Sequence, residues 1–109
     1  MPALPETVTR YLSAHSDHDT AAQLALFAAD ATVVDEGRTH DGAAAIAAWM
    51  NETAEAFTYT ITPLAAEQSG ERQYTVTQHL AGDFPGGTVD LRFRFTLRDD
   101  LIQHLTIEP

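Results

Sequence analysis

About halfway along the chain the spacing of apolar residues changes from helical to alternating, and that switch limits the fold more than any other feature. Before it, apolar side chains recur every three or four residues. From Phe57 onward, Phe57, Tyr59 and Ile61 alternate with threonines, and Val89, Leu91, Phe93, Phe95 and Leu97 alternate with Asp90, Arg92, Arg94 and Thr96. Side chains repeat every 3.6 residues on a helix and every two on a strand, so helices dominate the first half and strands the second. That order predicts an α+β domain in which one curved, mostly antiparallel sheet covers a layer of helices.

In the helical half, Pro5 suits a first helical position and Glu6 the positive end of the helix dipole. Val8, Tyr11, Leu12 and His15 follow at i, i+3, i+4 and i+7, a helix of about three turns. Asp19 or Thr20 can cap a second helix, expected from residue 21 to about 28 with Leu24, Phe27 and Ala28 on one face. The β-branched run behind it predicts a strand over residues 31–36. Ala31, Val33 and Asp35 then share one face, and Thr32, Val34 and Glu36 the other. Residues 37–40 suit a short returning strand. Asp41 is the expected cap of a third helix carrying Ile46, Trp49, Met50, Thr53, Ala54 and Phe57 at helical spacing.

In the alternating half, Pro63 marks an edge or bulge and Ser69-Gly70-Glu71 a hairpin turn. A strand from about 72 to 81 turns Tyr74, Val76, Gln78 and Leu80 to one side and Thr75, Thr77 and His79 to the other. Pro85-Gly86-Gly87 supplies another turn, and Asp99-Asp100 leads into a last strand over 101–108. No linker or repeat interrupts the pattern, and 109 residues suit one domain, 1–109.

Charge narrows the partners. Sixteen acidic against six basic residues give a net charge of −10, which repels phosphate backbones and anionic membranes, so neither nucleic acid nor membrane is an expected partner. No stretch is apolar enough for a membrane helix and no signal-peptide pattern opens the chain, which predicts a soluble, cytoplasmic protein. With no cysteine, thiol nucleophiles and disulfides are excluded. The five histidines lack metal-ligand spacing, so neither metal nor other cofactor is expected.

Parity makes Asp35 a lone carboxylate on an apolar face. Buried against Val33, Trp49 and Phe93, it would be poorly solvated, which raises a carboxyl pKa from about 3.9 toward useful basicity. The plainer alternative is a strand-end aspartate that bonds backbone amides of the next turn. Tyr11 can donate to developing negative charge, or be a core aromatic whose hydroxyl reaches water. Trp49, Val33, Val76 and Phe93 are expected as apolar walls. Gln78 interrupts an apolar strand face, where its amide either orients a polar ligand or turns out past a bulge. His40, just ahead of the third helix, is a candidate acid or ligand-binding group. His15 and His18 fall near the turn between the first two helices, in solvent. His79 and His104 fall on the outer sheet face.

Arg10-Tyr11-Leu12, the run from Ala25 to Asp35 that contains Leu26-Phe27-Ala28-Ala29-Asp30-Ala31-Thr32-Val33-Val34, Gly42 with Ile46 and Trp49, and the final hairpin resemble the nuclear-transport-factor-two-like superfamily. The likeness is to its ketosteroid-isomerase and polyketide-cyclase (SnoaL-like) branch. It implies a cone-shaped α+β fold with the N-terminal helices packed in the concavity of the sheet. It also implies catalytic roles for Asp35, as the base moving a proton beside a carbonyl, and for Tyr11, as a donor to the resulting oxyanion. In the isomerase a protonated aspartic acid is the second donor. The matching position here is Phe93, and losing one such donor typically costs on the order of 100-fold in rate. Asp90-Leu91-Arg92 resembles a carboxylate–arginine motif of the epoxide-hydrolase branch, but parity puts Asp90 and Arg92 on the outer face.

Two functions follow. One is a cofactor-independent isomerase- or cyclase-type enzyme acting on a hydrophobic small molecule, with homodimers formed through the outer sheet face. The other is a non-catalytic ligand-binding or interaction module with a filled cup. An open cleft reaching Asp35 separates the first from a cup closed by Trp49, Tyr59 and Phe93.

Overall fold

A computed structural model describes residues 4–56 and 59–109. Its elements in chain order are α1 (Glu6–Ser16), α2 (Thr20–Leu24), β1 (Phe27–Asp35), β2 (Arg38–Asp41), α3 (Gly42–Ala56), β3 (Tyr59–Gly70), β4 (Gln73–Gly82), β5 (Thr88–Arg98) and β6 (Leu101–Glu108). The strands form one sheet in the order β2-β1-β6-β5-β4-β3. Every pairing is antiparallel except β1 with β6. The last strand therefore returns to lie beside the first, which puts β1 inside the sheet instead of at its edge.

Three helices packed against this curved sheet make the α+β cone that the sequence predicts. Register shifts between Phe27 and Thr32 on β1 and between Pro63 and Ala65 on β3 interrupt the ladders. Such bulges bend a strand and increase its twist, which helps a sheet curl around helices. Val8 and Tyr11 of α1 and Ile46, Trp49 and Met50 of α3 meet Val33, Val76, Phe93, Phe95, Leu105 and Ile107 of the inner sheet face in one core. Fully burying an aromatic such as Phe93 or Phe95 contributes about 1.5–3 kcal/mol. The expectations for the side chains of Thr53 and Ala54, and for Phe57, fall outside what is described.

One element differs from its sequence pattern. α2 is a five-residue helix capped by Asp19, whose side chain accepts from the Ala22 N–H, and it stops at Leu24. Phe27 and Ala28, expected on its face, open β1 instead. Phe27 pairs with Ile102 of β6, and the Ile102 N–H donates to the Leu26 carbonyl at 2.8 Å. Ladder hydrogen bonds to a distant strand thus outweigh a helical tendency that needs only local contacts. Among the described residues no helix is long and apolar enough to cross a membrane.

Candidate active site

A tight turn fixes where β1 ends. Asp35 pairs with Arg38, leaving a two-residue loop in which Glu36 (φ 53°) and Gly37 (φ 74°) both adopt left-handed backbone. Two positive φ values in a two-residue hairpin match the twist of the flanking strands. Asp35 is thereby held as the last inward-facing residue of β1. It lies in register with Ile107, which pairs with Phe93, which pairs with Val76. Adjacent strands are about 4.8 Å apart, so Asp35 and Phe93 stand roughly 10 Å apart across the inner face.

The carboxylate is half-buried, and its Oδ2 accepts a hydrogen bond from Trp49 Nε1 at 3.0 Å. Burial pushes its pKa above the usual carboxylate value, and the Glu36 charge adds to that push. The Trp49 hydrogen bond and the nearby His40 pull the other way. Against this row of residues lies a cavity of about 760 Å³, bordered by Asp35, Tyr11, His15, Trp49, Tyr59 and Phe93, with Met50, Leu80 and Leu91 among its apolar walls. Residues of the β1–β2 turn and the β4–β5 loop also border it, at the end of the sheet where β1 and β6 stop.

Of the residues singled out from the sequence, the fold brings Asp35, Tyr11, Trp49 and Phe93 to this cavity. Val33, Val76 and Gln78 face inward but are buried in the core away from its walls. The Gln78 amide nitrogen has no hydrogen-bond partner among the described residues. His40 does not border the cavity; its ring tilts against Trp49 with centroids 5.9 Å apart. Among the described residues no cluster of three or more histidine or carboxylate side chains could hold a metal.

One group at the cavity was not anticipated, and a second, Tyr59, was expected there only as a side chain closing the cup. His15, expected in solvent, is half-buried: it stacks on Tyr11 with centroids 5.7 Å apart, and its Nε2 lies 3.2 Å from the Tyr59 hydroxyl. Burial, helped by His18, lowers its pKa to about 4, so it is neutral near pH 7. The signal was present, since His15 stands four residues after Tyr11 on the same apolar stripe of α1. Tyr59 opens β3, and His18 Nε2 donates to its carbonyl at 3.2 Å. Burial first, and then the charge of Asp35, raise the Tyr59 phenol pKa. Tyr11 is almost wholly buried; burial, Tyr59 and Asp35 together hold its phenol protonated far above neutral pH. A poorly solvated carboxylate, two protonated phenols and a neutral imidazole thus share one hollow.

The sequence profile of the SnoaL-like domain matches residues 8–105, most of the chain. The chain belongs to the SnoaL-like family. Comparison with curated proteins gave no match. Among solved structures this SnoaL-like domain is similar to a polyketide-cyclase candidate from Sinorhizobium meliloti, at 38% identity and a TM-score of 0.90, over 96% of this chain and 95% of the other. A Catenulispora acidiphila protein with a ketosteroid isomerase-like fold, bound to trimethylamine, is 24% identical with a TM-score of 0.85, over 98% and 87%. A Mycobacterium tuberculosis protein bound to estradiol-17β-hemisuccinate shares the fold at 20% identity and a TM-score of 0.78, over 94% and 90%.

Proposed function

We propose that residues 1–109 act as one SnoaL-like domain that binds a hydrophobic small molecule and transfers a proton beside its carbonyl without a cofactor. The observation that carries this function is Asp35: a carboxylate at a cavity wall, desolvated enough to hold a raised pKa, yet oriented by Trp49. Asp35 takes the proton from the carbon next to the carbonyl. Negative charge then develops on the carbonyl oxygen, where the Tyr11 hydroxyl donates to it. Asp35 returns the proton to the rearranged product, so the enzyme ends unchanged. The cavity volume of about 760 Å³ falls in the range usual for small-molecule sites. The similarity to the Sinorhizobium polyketide-cyclase candidate supports this reading, and the steroid skeleton, though not the succinate end, of the ligand held by the Mycobacterium protein supports a hydrophobic ligand.

A direct test follows solvent deuterium entering the carbon beside the carbonyl of 2-tetralone by NMR. The protein should accelerate exchange over buffer, and Asp35→Asn should abolish the acceleration while the melting temperature holds. Acceleration that survives this substitution rules out Asp35 as the base; binding without exchange leaves a ligand-binding module. The outer sheet face, where Thr75, Arg92, Arg94, Thr96 and Thr106 border a second cavity, is the proposed homodimer surface. A monomer mass in solution at micromolar concentration would contradict the dimer.

A further inference from the structure

His15 has one hydrogen bond and one bare nitrogen, and that asymmetry fixes a proton. Its Nε2 lies 3.2 Å from the Tyr59 hydroxyl, while Nδ1 is buried and has no partner among the described residues. A neutral imidazole carries its proton on one nitrogen only. If Nδ1 held it, a buried N–H would be left without an acceptor, and Nε2 would consume the Tyr59 proton. If Nε2 holds it, Nε2–H donates to the phenol oxygen, and only a lone pair is left unmatched at Nδ1. Orphaned buried N–H groups are rarer than under-satisfied acceptors, which favours the second arrangement.

The Tyr59 proton is then free to point elsewhere, and Tyr59 borders the same cavity as Asp35 and Tyr11. The two phenols lie close enough for Tyr59 to influence the ionisation of Tyr11. We propose that Tyr59, with its hydroxyl turned into the cavity by His15, is the second hydrogen-bond donor to the ligand's acceptor oxygen. This deepens the proposed function and rests on it. Tyr59 takes up the task for which Phe93 has no donor. Accepting a hydrogen bond from His15 polarises the phenol and makes it a better donor. His15 is a positioning residue: its ring stacks on Tyr11 and tilts against Phe93, and it acts on the ligand only through Tyr59.

The donor set also selects the ligand. Two neutral hydroxyls face an oxygen acceptor, and the charged side chains at the cavity, Asp35, Glu36 and Glu108, are acidic with no arginine among the described lining residues. The polar end is therefore a neutral ketone, enol or phenol oxygen, whose negative charge appears only as Asp35 takes up a proton. Carboxylates and phosphates are repelled.

The experiment compares 2-naphthol with its isostere 2-methylnaphthalene, each titrated against wild type and Tyr59→Phe by fluorescence. Nitrogen-15 NMR of the histidines at pH 7 reads the His15 tautomer in wild type. Wild type should prefer 2-naphthol, Tyr59→Phe should lose about tenfold in 2-naphthol affinity, 2-methylnaphthalene affinity should change less than twofold, and His15 should be protonated at Nε2. Unchanged 2-naphthol affinity in Tyr59→Phe, or a proton on Nδ1, overturns the inference and leaves the ligand-binding cavity intact. If Tyr59→Phe does not fold, the tautomer and the wild-type preference between the two probes decide. Wild type that binds neither probe overturns the proposed function and this inference together.

Discussion

Acidification should expose His15. Burial against Tyr11 and Phe93, with His18 pushing the same way, lowers its pKa from the ordinary 6.5 to about 4. The unfolded chain therefore takes up a proton that the folded chain refuses. Above pH 6.5 the imidazole is neutral in both states and this difference contributes nothing. As pH falls from 6.5 toward 4 the unfolded state gains a proton and stability drops; below about 4 both states are protonated and the loss levels off. At 1.36 kcal/mol per pH unit, the full loss is ~3 kcal/mol. Asp35 titrates in the opposite sense, because its raised pKa lets the folded chain take the proton first and gain stability as pH falls. The two must be separated, and His15→Gln does so: it removes the imidazole, keeps an amide that can reach Tyr59, and leaves Asp35 in place. Urea denaturation of both proteins from pH 7.5 to pH 4 gives the stability difference at each pH. The wild type should lose ~3 kcal/mol relative to His15→Gln across that window. Parallel curves would mean that His15 is as well solvated folded as unfolded, and its role in the cavity would fall with that result.

Asp35→Asn should raise or preserve the melting temperature at pH 7.5. It removes a desolvated charge and still offers Trp49 Nε1 an oxygen, so a marked fall in thermal melts would contradict a strained carboxylate. Because the Asp35 penalty exists above its folded pKa and disappears as pH falls through it, the gain from Asn should shrink toward pH 4. Trp49→Phe withdraws the one indole donor to Oδ2. It should cost ~1–3 kcal/mol in chemical denaturation and shift the acid limb of the 2-tetralone exchange profile upward. Asp99 (φ 52°) and Asp100 (φ 63°) form the two-residue β5–β6 turn in left-handed backbone. Glycine carries no Cβ strain there, so Asp100→Gly should gain about 0.5–1 kcal/mol in the same assay.

Much of this architecture could be read from residue spacing, because alternation and helical recurrence report which face of an element is buried. β5 alternates without interruption, and its inward set, Val89 to Leu97, is the observed one. Asp35 was legible for the same reason, with the Glu36-Gly37 turn supplying its end point. α2 was not, since Phe27 and Ala28 fit a helical stripe equally well until Ile102, seventy-five residues away, offers Phe27 a ladder partner. Period also gives the face without the depth. On β4, Val76, Gln78 and Leu80 share one face, but only Leu80 borders the cavity. On β5, Phe93 borders it while Phe95, two residues further, is covered by Tyr11, their rings 5.3 Å apart. What separates depth from face is where α1 lies across the sheet. It covers the half of the inner surface around Phe95 and Leu105 and leaves open the half where β1 and β6 end. His15 stands one turn past Tyr11, at the boundary between those halves. A histidine on an apolar stripe at that boundary contacts the core on one side and the hollow on the other, which is why a residue that looks like turn solvent in one dimension can set a proton in three.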